Sequence, residues 1–328
     1  MRTFFTPTLG RRAFATLAAS ALTAPASVLA QLGDKPLRVI MPLSAGSGAD
    51  GAMRAISNSV SKALGQPVVI ENLPGAGGIT GTAQIVRAAK DGQTIGIVSN
   101  NHVVNPSVYK SIPFDAIADI TPITVIGATP FVLVANPSLS AKNVQELIAL
   151  AKAKPGVLNY GSSGNGTILH LGAEMFVSEA QVEIKHIPYR GMGPLMNDVL
   201  GGQVQLAVVA VAPAAPHIKS GALRALGVTT TTRVSSLPDV PTIAEQGLPH
   251  YALEGWIAAI GPAGLSQAEV TRLYEGFKAA VAMPEARDAL IAQGYTIKAT
   301  PPEATAAFFR SELARMAQVV KNANVKMD

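Results

Sequence analysis

The sequence predicts an α/β fold with two modules in series. Apolar runs of strand length alternate with segments in which apolar residues recur at helical spacing, and short glycine-containing loops join them. The 328 residues are 48% hydrophobic and only 5% aromatic, a composition typical of helices packed on sheets. A chain of this length predicts about two domains.

The first module begins with a buried strand at residues 37–41 and continues with strands at 68–71 and 94–98. One helix ends at Gly65, and a second helix carries Ile85 on its apolar face. Strands and helices that alternate in this way, with short connections, predict a parallel sheet with right-handed crossovers.

The second module follows a polar and proline-rich stretch, residues 99–122, which we expect to be irregular. The predicted elements that follow are strands 124–126 and 131–135, a helix from Asn143 to Ala153, strand 157–160, a helix from Thr167, strand 182–187, helix 193–200, and strands 204–209 and 223–228. A strand at 253–260 and helices at 270–281, 286–292 and 304–320 return the chain to the first module. Two domains that share at least two crossings can close on a ligand about a hinge.

The first thirty residues predict a cleaved secretory signal peptide. Arg11 and Arg12 precede an apolar stretch at residues 13–24, and a small-residue ending at residues 28–30 follows. The arginine pair leaves the twin-arginine route open beside the general secretory route. An uncleaved membrane anchor is less favoured, because the apolar stretch is short for a bilayer span.

The charge and cysteine content exclude several classes of function. The formal net charge is +5, and the first thirty residues hold three arginines and no acid, so +2 remains without them. We therefore expect no nucleic-acid binding, which normally shows a basic stripe. The chain has no cysteine, which excludes disulfides, thiol catalysis and thiolate metal ligands.

Three glycine-rich loops, at residues 43–50, 75–81 and 161–167, each follow a predicted strand and lead into a helix. The start of a helix presents unpaired backbone N–H groups and the positive end of the helix dipole, so such loops favour anions. An ordinary strand-to-helix loop with a helix cap is the alternative for any one of them. In an open sheet the carboxyl ends of the strands lie at one edge, so we expect two loops to form one wall of a crevice and the third to face them.

The first loop also contains a literal Gly-x-Gly-x-x-Gly at residues 46–51, with Glu71 at the end of the next strand. This pattern leaves a dinucleotide-dependent oxidoreductase open as an alternative. Two observations count against it: residues 42–45 separate the strand from Gly46, and exported proteins rarely meet free nicotinamide cofactors.

Hydrolytic and metal sites are not indicated. No serine lies in a Gly-x-Ser-x-Gly elbow, and the five histidines show no metal-binding spacing. We expect no catalytic residue, no metal and no cofactor.

Three other residues each allow two interpretations. Arg190 either supplies a positive charge to an anionic ligand or is solvated. Asp198 either receives an amine or caps a loop, and Trp256 either packs in the core or borders the crevice.

Several segments, in the same order along the chain, carry a resemblance to a known family. They are residues 64–72 with Pro-Gly-Ala-Gly-Gly at 74–78, 159–167 with His170, 188–191, 201–204, 216–221, 223–226 and 237–242. Together they resemble the Bug, or TctC-type, extracytoplasmic solute receptors of tripartite tricarboxylate transporters. The likeness covers nearly the whole chain after the signal peptide.

The resemblance implies a periplasmic, non-enzymatic receptor with a two-lobed periplasmic-binding-protein fold (type II-like): two mostly parallel sheet domains joined by a hinge. Residues 31–130 with 254–328 would form the first lobe and residues 131–253 the second. The implied ligand is a small organic carboxylate, such as a di- or tricarboxylate, held by backbone N–H groups, hydroxyls and waters. The implied partners are the membrane subunits of a transporter or, alternatively, a sensor kinase, and we expect a monomer.

The resemblance also implies the ligand-binding residues. In the first lobe they are Ser44, Ala45, Gly46, Asp50, Gly75, Ala76, Gly77, Gly78, Asn100 and His102. In the second lobe they are Ser162, Ser163, Asn165, Gly166 and His170, to which the residue pattern adds Arg190. The approach to Asp50 departs from the usual family pattern, and so do Leu73 and Gln205. Neither of the last two changes removes a backbone donor.

Overall fold

A computed structural model describes residues 35–323. The predicted signal peptide at residues 1–30 lies outside the described residues. The strands are Leu37–Met41 (β1), Val68–Asn72 (β2), Thr94–Ser99 (β3), Ile120–Ala135 (β4), Asn159–Ser162 (β5), Lys185–Pro188 (β6), Leu206–Ala210 (β7), Arg224–Val228 (β8), Glu254–Pro262 (β9) and Thr296–Ile297 (β10). The α-helices are Gly48–Leu64 (α1), Ile79–Val86 (α2), Asn101–Val108 (α3), Val144–Ala153 (α4), Ile168–Ala180 (α5), Met192–Leu200 (α6), Val211–Lys219 (α7), Gln267–Ala282 (α8), Pro284–Ala292 (α9) and Pro302–Asn322 (α10).

The strands form one curled, mixed sheet in the order β2-β1-β3-β9-β4-β7-β5-β6, and β8 and β10 also pair with β4. Strand β1 runs parallel to β2 and β3, and β5 runs parallel to β6 and β7. Every pair that involves β4 or β9 is antiparallel. The sheet is therefore mixed, which corrects the prediction of mostly parallel pairing. Apolar patterning indicates which strands are buried but does not indicate the direction in which they run.

Strand β4 joins the two halves of the sheet. Its residues Ile120–Pro130 pair with β9, and residues Phe131–Ala135 pair with β7 and β8. We call the part with β1, β2, β3, β9 and β10 the first half-sheet, and the part with β5, β6, β7 and β8 the second half-sheet. The sequence predicts two short strands here, 124–126 and 131–135, whereas the structure has one continuous strand of 16 residues. The structure accommodates Pro122 at a register shift and Pro130 where the pairing with β9 ends.

Helix α3 lies in the stretch that was expected to be irregular. Pro106 inside this helix and the polar residues at its start hide it from sequence patterning. Its buried residues Val103, Val104 and Val108 pack in the main core, and the helix contacts α10. Tertiary packing therefore stabilises α3 in spite of its low helix propensity. Helix α7 is likewise not predicted from the sequence, because Pro216 lies inside it.

Local capping residues determine where the two helices nearest the glycine loops begin. The Ser47 hydroxyl accepts a hydrogen bond from the Asp50 amide at the start of α1, and the Thr167 hydroxyl accepts one from the His170 amide at the start of α5. Gly65, in the left-handed conformation, ends α1. Thr167 and Gly65 mark helix boundaries that the sequence predicts, whereas α1 begins directly after Ser47, inside the segment 43–50 that was expected to be a loop.

The buried apolar side chains form two clusters. The smaller cluster packs α1, α8 and α9 against one face of the first half-sheet, and the larger one continues from the opposite face along β4 into the second half-sheet. Within residues 35–323, the helices are all too short or too polar to cross a membrane.

Candidate functional site

A cavity of about 640 Å³ lies between the two half-sheets, where loops after β1, β2 and β3 meet loops after β5 and β6. The volume lies in the range of roughly 300–1,000 Å³ that is usual for small-molecule sites. Its walls contain the starts of α1 and α5 and the turn before α2. The glycine loops therefore meet across one crevice.

The start of helix α1 forms part of the first wall. Four backbone N–H groups at a helix start have no partner within the helix. The Ser47 hydroxyl accepts from the Asp50 amide at 3.2 Å, whereas the amides of Gly48 and Ala49 at the cavity wall have no acceptor within residues 35–323. If Gly48 carried a side chain, its Cβ would lie only 3.0 Å from the Cβ of Ala210.

The start of helix α5 faces α1 from the second half-sheet. The Ile168 amide donates to the Oδ1 atom of Asn101 at 2.8 Å, and the His170 amide donates to the Thr167 hydroxyl at 3.4 Å. Leu169 lies at the cavity wall, and its amide has no acceptor in the described part of the chain. Two helix starts therefore present unpaired donors to one cavity, which suits anionic oxygens.

Hydrogen bonds also cross the cavity mouth. The Ser44 hydroxyl accepts from the Met192 amide at 3.3 Å, which connects the first glycine loop to the start of α6. The bond between Asn101 and Ile168 makes a second connection between the half-sheets. Gly166 packs against α3, where a Cβ would lie 2.3 Å from the Cγ1 atom of Val108. The structure thus has the two walls in contact.

The body of the cavity is largely apolar. Phe131, Trp256, Leu43, Ile168 and Met192 contribute to its walls. No aspartate or glutamate is among the lining residues. The cavity therefore offers anion donors at its ends and apolar surface between them.

Trp256 both borders the cavity and packs in the core, where its ring lies edge-on against Phe308 and Phe309. Its indole N–H donates to Glu312 of α10 at 3.0 Å. Asp198 accepts from the Tyr189 hydroxyl at 2.8 Å, so it holds the loop after β6.

Nine of the sixteen residues proposed from the sequence line the cavity. They are Ser44, Gly75, Ala76, Gly77, Gly78, Asn100, Ser163, Asn165 and Arg190. Arg190 is exposed and is the only lysine or arginine among the lining residues. Asn100 uses both ends of its amide on β9, donating to the Glu254 carbonyl at 3.2 Å and accepting from the Trp256 amide at 3.0 Å.

Ala45, Gly46 and Asp50 do not line the cavity. Ala45 and Gly46 are exposed at the outer side of the loop, and Asp50 is buried beneath it. Asp50 accepts from the Gly46 amide at 3.0 Å and from Arg54 and Asn72. Burial alone would raise the pKa of Asp50, but these hydrogen bonds together hold it below its usual value. Asp50 is therefore a charged residue that holds the loop in place through these hydrogen bonds.

Ser162, Gly166 and His170 also lie behind the cavity wall. The Ser162 oxygen is 2.6 Å from the Nε2 atom of His186, and the rings of His170 and His186 stack with centroids 3.8 Å apart. His170 accepts from the Gly166 amide through Nδ1 at 3.0 Å. Burial, together with the neighbouring His170, lowers the pKa of His186 to about 4. This cluster supports the loop from behind the cavity wall. Because the Gly166 amide already donates to His170, it is not free to bind a ligand.

His102 is buried away from the cavity. Its Nε2 atom lies 2.7 Å from the Ala116 carbonyl, which requires the proton on Nε2, and its ring stacks on Phe114. Burial lowers the pKa of His102 to about 4, although the Ala116 carbonyl opposes this shift. His102 is therefore a neutral core residue at neutral pH.

Several lining residues are not indicated by the sequence patterns. They include Asn101, Phe131, Leu169, Met192 and Tyr295. Asn101 follows directly after a predicted strand end, a position that could have indicated it. Tyr295 lies far along the chain between α9 and β10, and no local signal connects it to the glycine loops.

Metal and dinucleotide sites find no support in the geometry. No group of three His, Asp or Glu side chains within residues 35–323 is arranged to hold a metal ion. In the Gly-x-Gly-x-x-Gly pattern, Gly46 is exposed and Gly51 lies inside α1. The pattern is therefore the capped start of one helix.

Comparison with known proteins agrees with this architecture. The family described as tripartite tricarboxylate transporter family receptor (TctC) matches residues 52–325. Protein BugT of Bordetella pertussis (strain Tohama I) is 34% identical over 295 residues, which cover 89% of this chain and 90% of BugT.

Solved structures of periplasmic binding proteins share this fold. The periplasmic binding protein BugD superposes with a TM-score of 0.85 at 30% identity and covers 89% of this chain and 99% of BugD. An R. palustris protein solved with adipate has a TM-score of 0.86 at 30% identity and covers 89% and 98% of the two chains. These relatives are receptors and not enzymes, so the expectation of a binding protein is confirmed and the oxidoreductase alternative is set aside. The chain therefore belongs to the TctC family of tripartite tricarboxylate transporter receptors, as the resemblance in its sequence implies.

Proposed function

We propose that this protein is a periplasmic receptor that captures a small organic carboxylate, such as a di- or tricarboxylate, and delivers it to the membrane subunits of a tripartite tricarboxylate transporter. The observation that carries the proposal is the pair of helix starts at one cavity, with unpaired amides at Gly48, Ala49 and Leu169. Lining residues without any carboxylate favour an anion over an amine. The adipate-bound relative supports the same ligand class.

The ligand would be held by hinge closure of two lobes, residues 31–130 with 254–328 and residues 131–253. The change of β4 partners after Pro130 and the start of β9 at Glu254 support these boundaries. The bonds from Met192 to Ser44 and from Ile168 to Asn101 would form on closure. Only two chain segments then bend, which suits a hinge.

The affinity can be reached with little fixed positive charge. Micromolar binding requires about 8 kcal/mol, and hydrogen bonds to charged groups contribute about 1.5–3 kcal/mol each. Several amide donors and the apolar walls together supply this free energy. Arg190, which is exposed, adds a smaller contribution because water screens it.

The test is a thermal-shift screen of the exported protein with adipate, shorter dicarboxylates and tricarboxylates, followed by isothermal titration calorimetry. Ligand at 100 times its Kd stabilises the folded state by about 2.7 kcal/mol, which raises Tm by several degrees. The matched control is 1,6-hexanediol, which has the same chain length as adipate and no charge. The proposal requires a shift with at least one carboxylate and none with the diol. Equal shifts with both, or none across the whole panel, would refute it.

A further inference from the structure

Tyr295 carries a buried hydroxyl that has no hydrogen-bond partner within residues 35–323. The residue is only 3% exposed and lies at the cavity wall. The neighbouring Thr129 hydroxyl is directed to the Pro130 carbonyl at 3.5 Å and does not complete a hydrogen bond with Tyr295. A buried polar group without a partner destabilises the folded state, so its presence in a native protein calls for an explanation.

The position of the ring explains where the hydroxyl is directed. The ring packs where Gly127 of β4 has no side chain, since a Cβ there would lie 3.4 Å from the Cδ1 atom of Tyr295. At the other end, the hydroxyl oxygen lies 3.7 Å from the position that a Cβ of Gly48 would occupy. The ring thus reaches from β4 to the start of α1, beside the unpaired amides of Gly48 and Ala49.

We infer that Tyr295 donates its hydroxyl to an anionic oxygen of the ligand and completes, with the Gly48 and Ala49 amides, a three-donor subsite at the start of α1. This inference rests on the proposed function and names a residue that determines specificity at one end of the cavity.

The protonation state of Tyr295 agrees with a donor role. Burial raises the pKa of its hydroxyl well above the usual value for tyrosine, and the nearby Thr129 hydroxyl opposes this shift. The hydroxyl therefore keeps its proton at neutral pH. Since the ring is enclosed, the donor is held in place before the ligand arrives, which reduces the entropy lost on binding.

The test is Tyr295→Phe, which removes only the hydroxyl. Calorimetry with adipate, and with the strongest carboxylate of the screen, should give an affinity about 10- to 100-fold weaker than that of the wild type, because a hydrogen bond to a charged group is lost. The Tm without ligand should stay the same or rise, because the variant no longer buries an unpaired hydroxyl.

Tyr251→Phe is the matched control. Tyr251 is also buried, lies outside the cavity lining, and donates its hydroxyl to the Gly172 carbonyl at 2.8 Å. Its loss should lower the Tm without ligand and leave the affinity unchanged. A Tyr295→Phe variant that binds like the wild type, or that loses Tm without ligand as Tyr251→Phe does, would overturn the inference and leave the proposed function standing. A wild type that binds no carboxylate overturns both.

Discussion

Asn101→Ala tests whether closure of the cavity depends on one hydrogen bond between the half-sheets. Asn101 Oδ1 accepts from the Ile168 amide at 2.8 Å, and both residues are buried. In a closed protein the variant leaves this amide without an acceptor, whereas in an open protein water replaces the lost partner. A buried unpaired amide costs about 1–3 kcal/mol.

That free energy acts only on the closed state, so it shifts the closing equilibrium against binding. We expect every ligand to bind about 5- to 150-fold more weakly, which corresponds to about 1–3 kcal/mol. Calorimetry with adipate measures the affinity, and small-angle X-ray scattering measures the radius of gyration with and without ligand. The variant should require more adipate to reach the compact state.

Asn143→Ala is the control for this experiment. Asn143 caps α4 away from the cavity, where its side chain accepts from the Glu146 amide at 2.8 Å. Its replacement should lower stability by about 1 kcal/mol and leave ligand affinity unchanged. If Asn101→Ala binds adipate as tightly as the wild type, or if both variants weaken binding equally, closure does not depend on the bond between Asn101 and Ile168.

Two further predictions concern the supporting residues. Gly166→Ala places a Cβ 2.3 Å from the Cγ1 atom of Val108 at a φ of +69°. We expect weaker adipate binding in calorimetry, whereas Gly221→Ala, at a φ of +77° with open space around it, should keep the affinity; equal affinities would refute the role of the contact. Burial holds the pKa of His102 at about 4, below its ordinary value of 6.5. The folded state then binds fewer protons than the unfolded state between these values, so the stabilisation is complete above about pH 6.5 and decreases by up to about 3 kcal/mol as the pH falls towards 4. Urea unfolding at pH 7 and pH 5 should show a smaller decrease for His102→Gln; equal decreases would contradict this origin.

Local chemistry explains which features could be predicted from the sequence. Thr167 caps α5 through a bond from the amide three residues further on, and Gly65 ends α1 with a bond from its amide to the Ser61 carbonyl. These bonds join neighbours in the chain, so the residue pattern contains them. The same holds for the glycine turn at residues 75–78, which lines the cavity as expected.

Contacts between distant residues explain what could not be predicted. Asp50 and His170 have the residue types expected of a ligand site, but both are occupied by neighbours within the fold. Whether a polar group faces a ligand or another side chain depends on which elements pack around it. Local patterns along the chain do not reveal this packing.

Local patterns along the chain are enough to predict the α/β class, the positions of most helices and strands, the three glycine loops and the family. The three-dimensional structure is needed to see that β4 is one strand joining both half-sheets, and that Asn101 contacts Ile168 across the cavity. It also placed Tyr295 beside the start of α1, far from it in sequence. These features depend on contacts between residues that are far apart in the chain, and such contacts form only when the whole chain is folded.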